Sequence, residues 1–203
     1  MRPEPGTIER WAWDYVTART LDEKLSPGPR PSAWESTPPS RRPTPGRPDA
    51  LRPLDKPPKT PRPGALRDPK KRAQLMHTFF HHELQAAELM CWALLAFPET
   101  PRAFRRGLMA IADDEIRHMA AYADHLARLG FAVGDFGVRD WFWERVSTVA
   151  SPVAFVALLG VGFEGANLDH SARFARLFRE AGDEVGAALQ ERVGREEEPH
   201  VRF

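Results

Sequence analysis

From Asp68 onward the apolar residues recur at alternating three- and four-residue steps, the spacing of one face of a helix. Met76, Phe80, Ala87, Met90 and Leu94 form one row, and Ala157, Val161, Leu168, Ala175 and Phe178 form another. A third runs Leu108, Tyr122, Leu129. Each row has one position where an aliphatic side chain belongs and an acid stands instead: Glu83, Glu164 and Glu115 respectively. A neighbouring row, Ile111 to His125, holds His118 at its middle, and near the end of the chain Val193 shares a row with His200, with Glu197 beside them.

The punctuation between these rows predicts four helices. The stretches D-P-K-K, T-P-R-A and S-P-V-A each place a capping side chain, Asp68, Thr100 or Ser151, directly before a proline. A proline at the first helical position loses no hydrogen bond, so these read as helix starts. Pro98, Gly130 and Gly182 read as stops, and Asp183 as a further cap. The predicted helices cover 69–97, 101–129, 152–181 and 183 to the C-terminus. Short links make the first two and the last two antiparallel hairpins. The long link between the hairpins, with a short helix over Trp141–Val146, is expected to cross the bundle. The expected fold is all-α, with the connectivity of a ferritin-like four-helix bundle.

Ahead of Asp68 the composition changes: sixteen of the 20 prolines lie at or before Pro69. A helix is predicted over 7–24, with Trp11, Tyr15 and Leu21 on one face, followed by a segment whose prolines sustain neither helix nor central strand. Two units are therefore expected, an N-terminal helix plus Pro/Arg-rich strap over 1–67 and the bundle over 68–203. Between Arg30 and Arg67 nine basic residues face three acids. That suits an extended strap, and it also makes a polyanion such as RNA a candidate partner, with Trp34 the one aromatic platform.

Over the whole chain 29 basic and 28 acidic residues nearly cancel, so no global field selects nucleic acid or a membrane. The single cysteine, Cys91, excludes an internal disulfide framework. M-R-P-E-P-G-T lacks the apolar core of a secretory signal, and the run Val153 to Phe163 is too short to span a bilayer. A cytoplasmic, non-membrane protein is the expectation.

The charged residues on the apolar rows carry the chemistry. A buried, unpaired carboxylate costs several kcal/mol, and four together repel one another. No Lys or Arg occupies these rows, whereas two divalent cations would balance four carboxylates, with neutral imidazoles completing the shells. Glu115 and His118, like Glu197 and His200, are three residues apart, roughly 60° around a helix, so both members reach one ion. Glu83 precedes Glu115 by 32 residues and Glu164 precedes Glu197 by 33, which sets both groups at one depth in their hairpins. Each half thus repeats Glu, turn, Glu-x-x-His. Asp114 and Glu196 adjoin the ligands and are placed to hold the imidazole N–H groups of the opposite half. Glu88, about 140° from Glu83 on the helix, lies outside the inner set.

These residues resemble the ferritin-like di-iron carboxylate superfamily, which includes ferritins, the ribonucleotide reductase small subunit and a tRNA hydroxylase. More closely, H-H-E-L-Q-A-A-E-L, D-D-E-I-R-H-M, V-R-D-W-F-W-E-R, G-F-E-G-A-N-L-D-H and E-E-E-P-H-V-R-F resemble an uncharacterised ferritin-like family, domain of unknown function 455. The resemblance implies a metal site with Glu83, Glu115, His118, Glu164, Glu197 and His200 as ligands. It implies no substrate. Relative to the family pattern the last helix is short and Pro199 falls within it, so a fragment with a loosely held second half-site is the expectation from this departure.

The first functional expectation is an O2-dependent oxidoreductase using two iron ions, or manganese, with an unknown small-molecule substrate or electron donor. Phe79, Phe80, Leu84, Phe163 and Leu168 would shield such a site, although each also reads as ordinary core. The alternatives are an iron-oxidising, iron-handling protein, an RNA-modifying hydroxylase suggested by the basic arm, and a non-catalytic helical module with a structural or vestigial metal site. A homodimer is compatible with the sequence. Cys91 reads as a core residue, His125 as structural, His170 as surface, and Trp141 and Trp143 as a cover over the bundle end.

Overall fold

The computed structural model describes residues 1–56, 58–159 and 165–203, the stretch 165–169 for its backbone alone. Its regular structure is helical, and among the described residues there is no β-strand, only two single-residue bridges. None of the described helices is long and apolar enough to cross a membrane.

The N-terminal segment forms two helices where the sequence predicts one: α1 spans Ile8–Thr17 and α2 spans Leu21–Leu25. Thr20 causes the break. Its hydroxyl accepts from the Glu23 N–H while the Glu23 carboxylate accepts from the Thr20 N–H, a reciprocal cap that starts a new helix and competes with continuing the old one. The turn carries Lys24 into the interior, where it is fully buried. Tyr15 is buried and stacks on Trp11, while Leu21 packs in a different cluster.

Next comes α3, Pro69–Ala96, capped by Asp68, which accepts from the Lys70 N–H. Every residue from Glu83 to Phe97 is buried, so this helix is the centre of the molecule. It pairs with α4, Arg102–Arg128. Thr100 does not cap α4. Its hydroxyl donates to the Phe97 carbonyl at the end of α3, and α4 begins one residue later than predicted, after Pro101. Gly130, at φ +82°, ends α4 in the left-handed region.

The crossover contains α5, Trp141–Val146, as expected, and leads to α6, Pro152–Val156, capped by Ser151. Ala157–Leu159 follow in a wider π-type turn, which shifts the face: Ala157 is exposed, and Phe155 and Leu159 are the buried positions. The row drawn through Ala157 therefore fails there, and its continuation through Val161 and the side chain of Leu168 lies outside the described residues. The second hairpin is α7, Gly165–Glu180, with α8, Glu184–Arg202, turning at Gly182 (φ +78°) and capped by Asp183. α8 continues through Pro199.

Two apolar clusters fill the interior. One joins α1, the second half of α3, the first half of α4, α5 and α6. The other joins the first half of α3, the second half of α4, α7 and α8. Between them, on α3 and α4, lie Glu83, Glu115 and His118.

The proline-rich segment is a strap from which Arg41 and Arg47 turn inward. Arg41 forks onto Glu35, Arg30 pairs with Asp113 at 2.7 Å, and Arg47 reaches Glu88 and Asp140. Arg42 lies over the rings of Trp92 and Phe97. The last carbonyls of α3 lack helical partners. The strap supplies them: Arg41 N–H donates to Leu95 and the Ser40 hydroxyl to Ala96.

Candidate metal centre

The interruptions predicted on the apolar rows converge. Glu83, Glu115, His118 and Glu197 each present one donor atom, all within 4.8 Å of one another, and this group is able to hold a metal ion. His200 joins them: its Nδ1 lies 2.7 Å from Glu197 Oε2 and 3.2 Å from Glu115 Oε1. All five are buried. Glu164 lies outside the described residues, so its place relative to this group is open.

Helical register explains the convergence. Glu115 and His118 occupy adjacent positions on the buried face of α4, as Glu197 and His200 do on α8, and the two helices pack against each other. Glu83 lies on α3 at the level where the α3–α4 hairpin meets α8. In ion-pair range of His118 Nδ1 stand three carboxylates, at 3.7 Å from Glu83, 3.6 Å from Glu115 and 3.5 Å from Glu197.

These contacts are long or bent. Neither oxygen of Glu115 has a hydrogen-bond partner, and neither does His118 Nδ1. A buried orphan polar atom costs about 1–3 kcal/mol, more when charged. Three such atoms facing one point, all of them oxygen or imidazole nitrogen, are the donor set that a hard or borderline divalent cation takes. The residues therefore fit a metal.

The imidazoles are held from behind. His118 Nε2 lies 2.8 Å from Glu196 Oε2, and His200 Nε2 lies 3.0 Å from Asp114 Oδ2. Each pair crosses between α4 and α8, as the sequence predicts. A carboxylate on Nε2 fixes the proton there and leaves the Nδ1 lone pair for the centre.

Electrostatics show how the group balances itself with protons alone. Burial, then the neighbouring Glu115, push Glu83 up to about 8. For His118 burial opposes the charge, but Glu115, Glu197 and Glu83 outweigh it and hold the imidazolium far above its ordinary range. His200 is likewise pushed up to about 11, burial again opposing and Glu115 and Glu197 prevailing. Glu115 and Glu197 are held below the usual carboxylate range: burial works against their charge, and the surrounding proton-bearing groups overcome it. These shifts favour protons on both imidazoles and on Glu83, and negative charge on Glu115 and Glu197. A cation entering would displace those protons.

A second buried polar cluster went unread in the sequence. Glu88 is paired with Lys24 at 2.8 Å and with Arg47, and Arg47 also reaches Asp140, which holds His81 at 3.0 Å. The signal that Glu88 turns away from Glu83 was legible. Its partners, from α2 and the strap, were not, since nothing local in L-D-E-K-L marks a lysine that ends fully buried. Other histidines have structural partners: His125 Nε2 meets Asp183 at 3.0 Å, and His77 Nε2 accepts from the Gly134 N–H. His170 is exposed and Cys91 buried, as expected. Trp143 packs on Trp92, whereas Trp141 is partly exposed. Phe80 and Leu84 are buried, Phe79 packs at the edge of the same cluster, and Phe163 and the Leu168 side chain lie outside the described residues.

The profile of one protein family, described as "Protein of unknown function (DUF455)", matches residues 8–203. No curated protein and no solved structure matches the chain.

Proposed function

Because the chain belongs to the DUF455 family, whose description carries no activity, we propose its function from the site itself: a ferritin-like di-metal carboxylate protein that binds two iron ions and acts as an O2-dependent oxidoreductase. The observation that carries this reading is the buried meeting of Glu83, Glu115, His118 and Glu197 with orphaned donor atoms and no Lys or Arg among the ion pairs described for them. Hairpins α3–α4 and α7–α8 joined by a long crossover support the ferritin-like assignment. The second ion requires a further ligand, and Glu164, in the repeat of Glu, turn, Glu-x-x-His, is the residue assigned to it.

When bound, ferrous ions would supply the electrons that reduce dioxygen. The chain's own contributions are separate. Asp114 and Glu196 fix the tautomers of His200 and His118 and present Nδ1 to the centre. Glu83, whose burial beside Glu115 favours its protonated form without metal, would give up that proton as a ligand. Phe80, Leu84 and Met119, buried on the flanking cluster, keep bulk water away. The near balance of charge, with Arg41 and Arg47 of the strap turned inward, favours a small substrate over a nucleic acid.

Metal analysis of purified protein tests the reading. Wild-type protein is expected to hold up to two ions per chain, and Glu115→Ala to lose them while remaining helical by circular dichroism. Metal content unchanged by that substitution would refute the ligand set. Fe(II)-dependent O2 uptake that continues through many turnovers without an organic substrate would favour iron oxidation over substrate oxidation.

A further inference from the structure

Between α4 and α8 runs a groove of about 640 Å³ whose floor includes His118 and Glu196. It is lined by Arg117, Arg128, Arg192 and Arg195. Arg117 pairs with Asp114. The other three are exposed and make no ion pair with a described residue.

The reason lies in α8. Arg192 would ordinarily pair with Glu196 one turn on, but Glu196 is held by His118 Nε2 at 2.8 Å. Around Arg195, Glu191 is taken by Arg179 at 2.8 Å and Glu198 by Arg202 at 3.5 Å. Of the two carboxylates in the groove, Glu196 is thus engaged, and Asp124 alone stands against three guanidinium groups. Guanidinium forks that lack internal acceptors and line one concavity match the oxygens of a phosphate or carboxylate.

We infer that this groove binds a small molecule bearing a phosphate or carboxylate group, anchored by Arg192 and Arg195 beside the metal centre. The inference rests on the proposed function for what the anion is, the charged end of the substrate, but the anion site itself exists with or without metal. Because Glu196 is both the wall of the groove and the group that fixes His118, occupancy there is felt at the centre through one hydrogen bond.

The test titrates inorganic phosphate and, separately, citrate into the full chain by calorimetry at low salt, with metal content measured on the same samples. Saturable binding of either at one site per chain is expected, with affinity falling about tenfold for each arginine removed in Arg192→Gln, Arg195→Gln and the double variant. Phosphate binding alone identifies a phosphate ester as the ligand class, and citrate alone a carboxylate. Arg106→Gln, an exposed change on α4 outside the groove, should leave binding unchanged. Absence of saturable binding, equal binding in the double variant, or binding of an RNA oligomer with none of phosphate or citrate would overturn the inference. Protein that holds no metal yet binds phosphate through these arginines would sink the proposed function and leave the anion site standing.

Discussion

Glu83 and Glu88 lie on one helix, both buried, and the molecule neutralises them by different means. Around Glu88 the positive charge is built into the chain: the guanidinium of Arg47 comes from the strap and the ammonium of Lys24 from α2. Around Glu83 the compensation is by protons that can leave: Glu83 tends to keep its own, and His118 beside it, like His200 against Glu115 and Glu197, is charged only while protonated. A fixed pair closes a site, because replacing its cation leaves a buried charge without compensation. An optional one leaves room for another cation to take its place. The same helix therefore holds a structural lock and, a turn and a half away, a place for a ligand.

The strongest way to break this contrast is to remove the lock. Arg47→Met leaves Glu88 and Asp140 short of a partner and should cost about 3–5 kcal/mol of unfolding free energy. Urea denaturation should show the same loss with and without metal. A loss well below 1 kcal/mol would mean that the two glutamates are not held by different means after all.

Metal addition probes the other side. At a free ion concentration about a thousandfold above Kd, binding to the folded chain alone should add about 4 kcal/mol. The gain should also depend on pH. Glu83 in the folded, metal-free chain keeps a proton that the unfolded chain loses near pH 4.5, so its contribution is lost as pH rises toward 8. The folded values of His118 and His200 lie above 6.5, so the stability from their charge is complete below 6.5 and is lost as pH rises, toward about 11 for His200. Glu115 and Glu197, with lowered values, act in the opposite sense and lose their contribution as pH falls below 4.5. Metal-free protein should therefore be most stable in mild acid and weaken toward alkaline pH, while loaded protein should not. Thermal unfolding from pH 5 to 9 checks this, and parallel curves would contradict the proton balance.

A smaller effect sharpens the comparison. Glu196→Gln keeps a hydrogen-bonding group on His118 Nε2 but removes the charge that makes the imidazole a better ligand. Metal affinity should fall 10- to 100-fold, as is usual when a residue behind a ligand is changed, with little change in metal-free stability. Competition with a chromophoric chelator measures it. An unchanged affinity would mean that the carboxylate behind His118 is incidental.

Much of this was legible from spacing alone. Rows of apolar residues at three- and four-residue steps marked α3, α4 and α8, and Glu83, Glu115, His118, Glu197 and His200 stood out because each occupies a position that burial would otherwise give to an aliphatic side chain. Even the outer pairs, Asp114 with His200 and Glu196 with His118, followed from adjacency to those positions. Helix periodicity is a local property, so a sequence carries it whole.

The tertiary structure alone decided what crosses between segments distant in the chain. Thr20 split the N-terminal helix and sent Lys24 inward to a glutamate 64 residues later, and two of the strap's arginines, Arg41 and Arg47, serve as internal counter-ions. Likewise Arg192 and Arg195 look like ordinary surface charges until the neighbouring carboxylates are seen to be occupied. Charge pairing over such distances depends on where whole elements dock, and docking is set by burial summed over many residues, which no single stretch records.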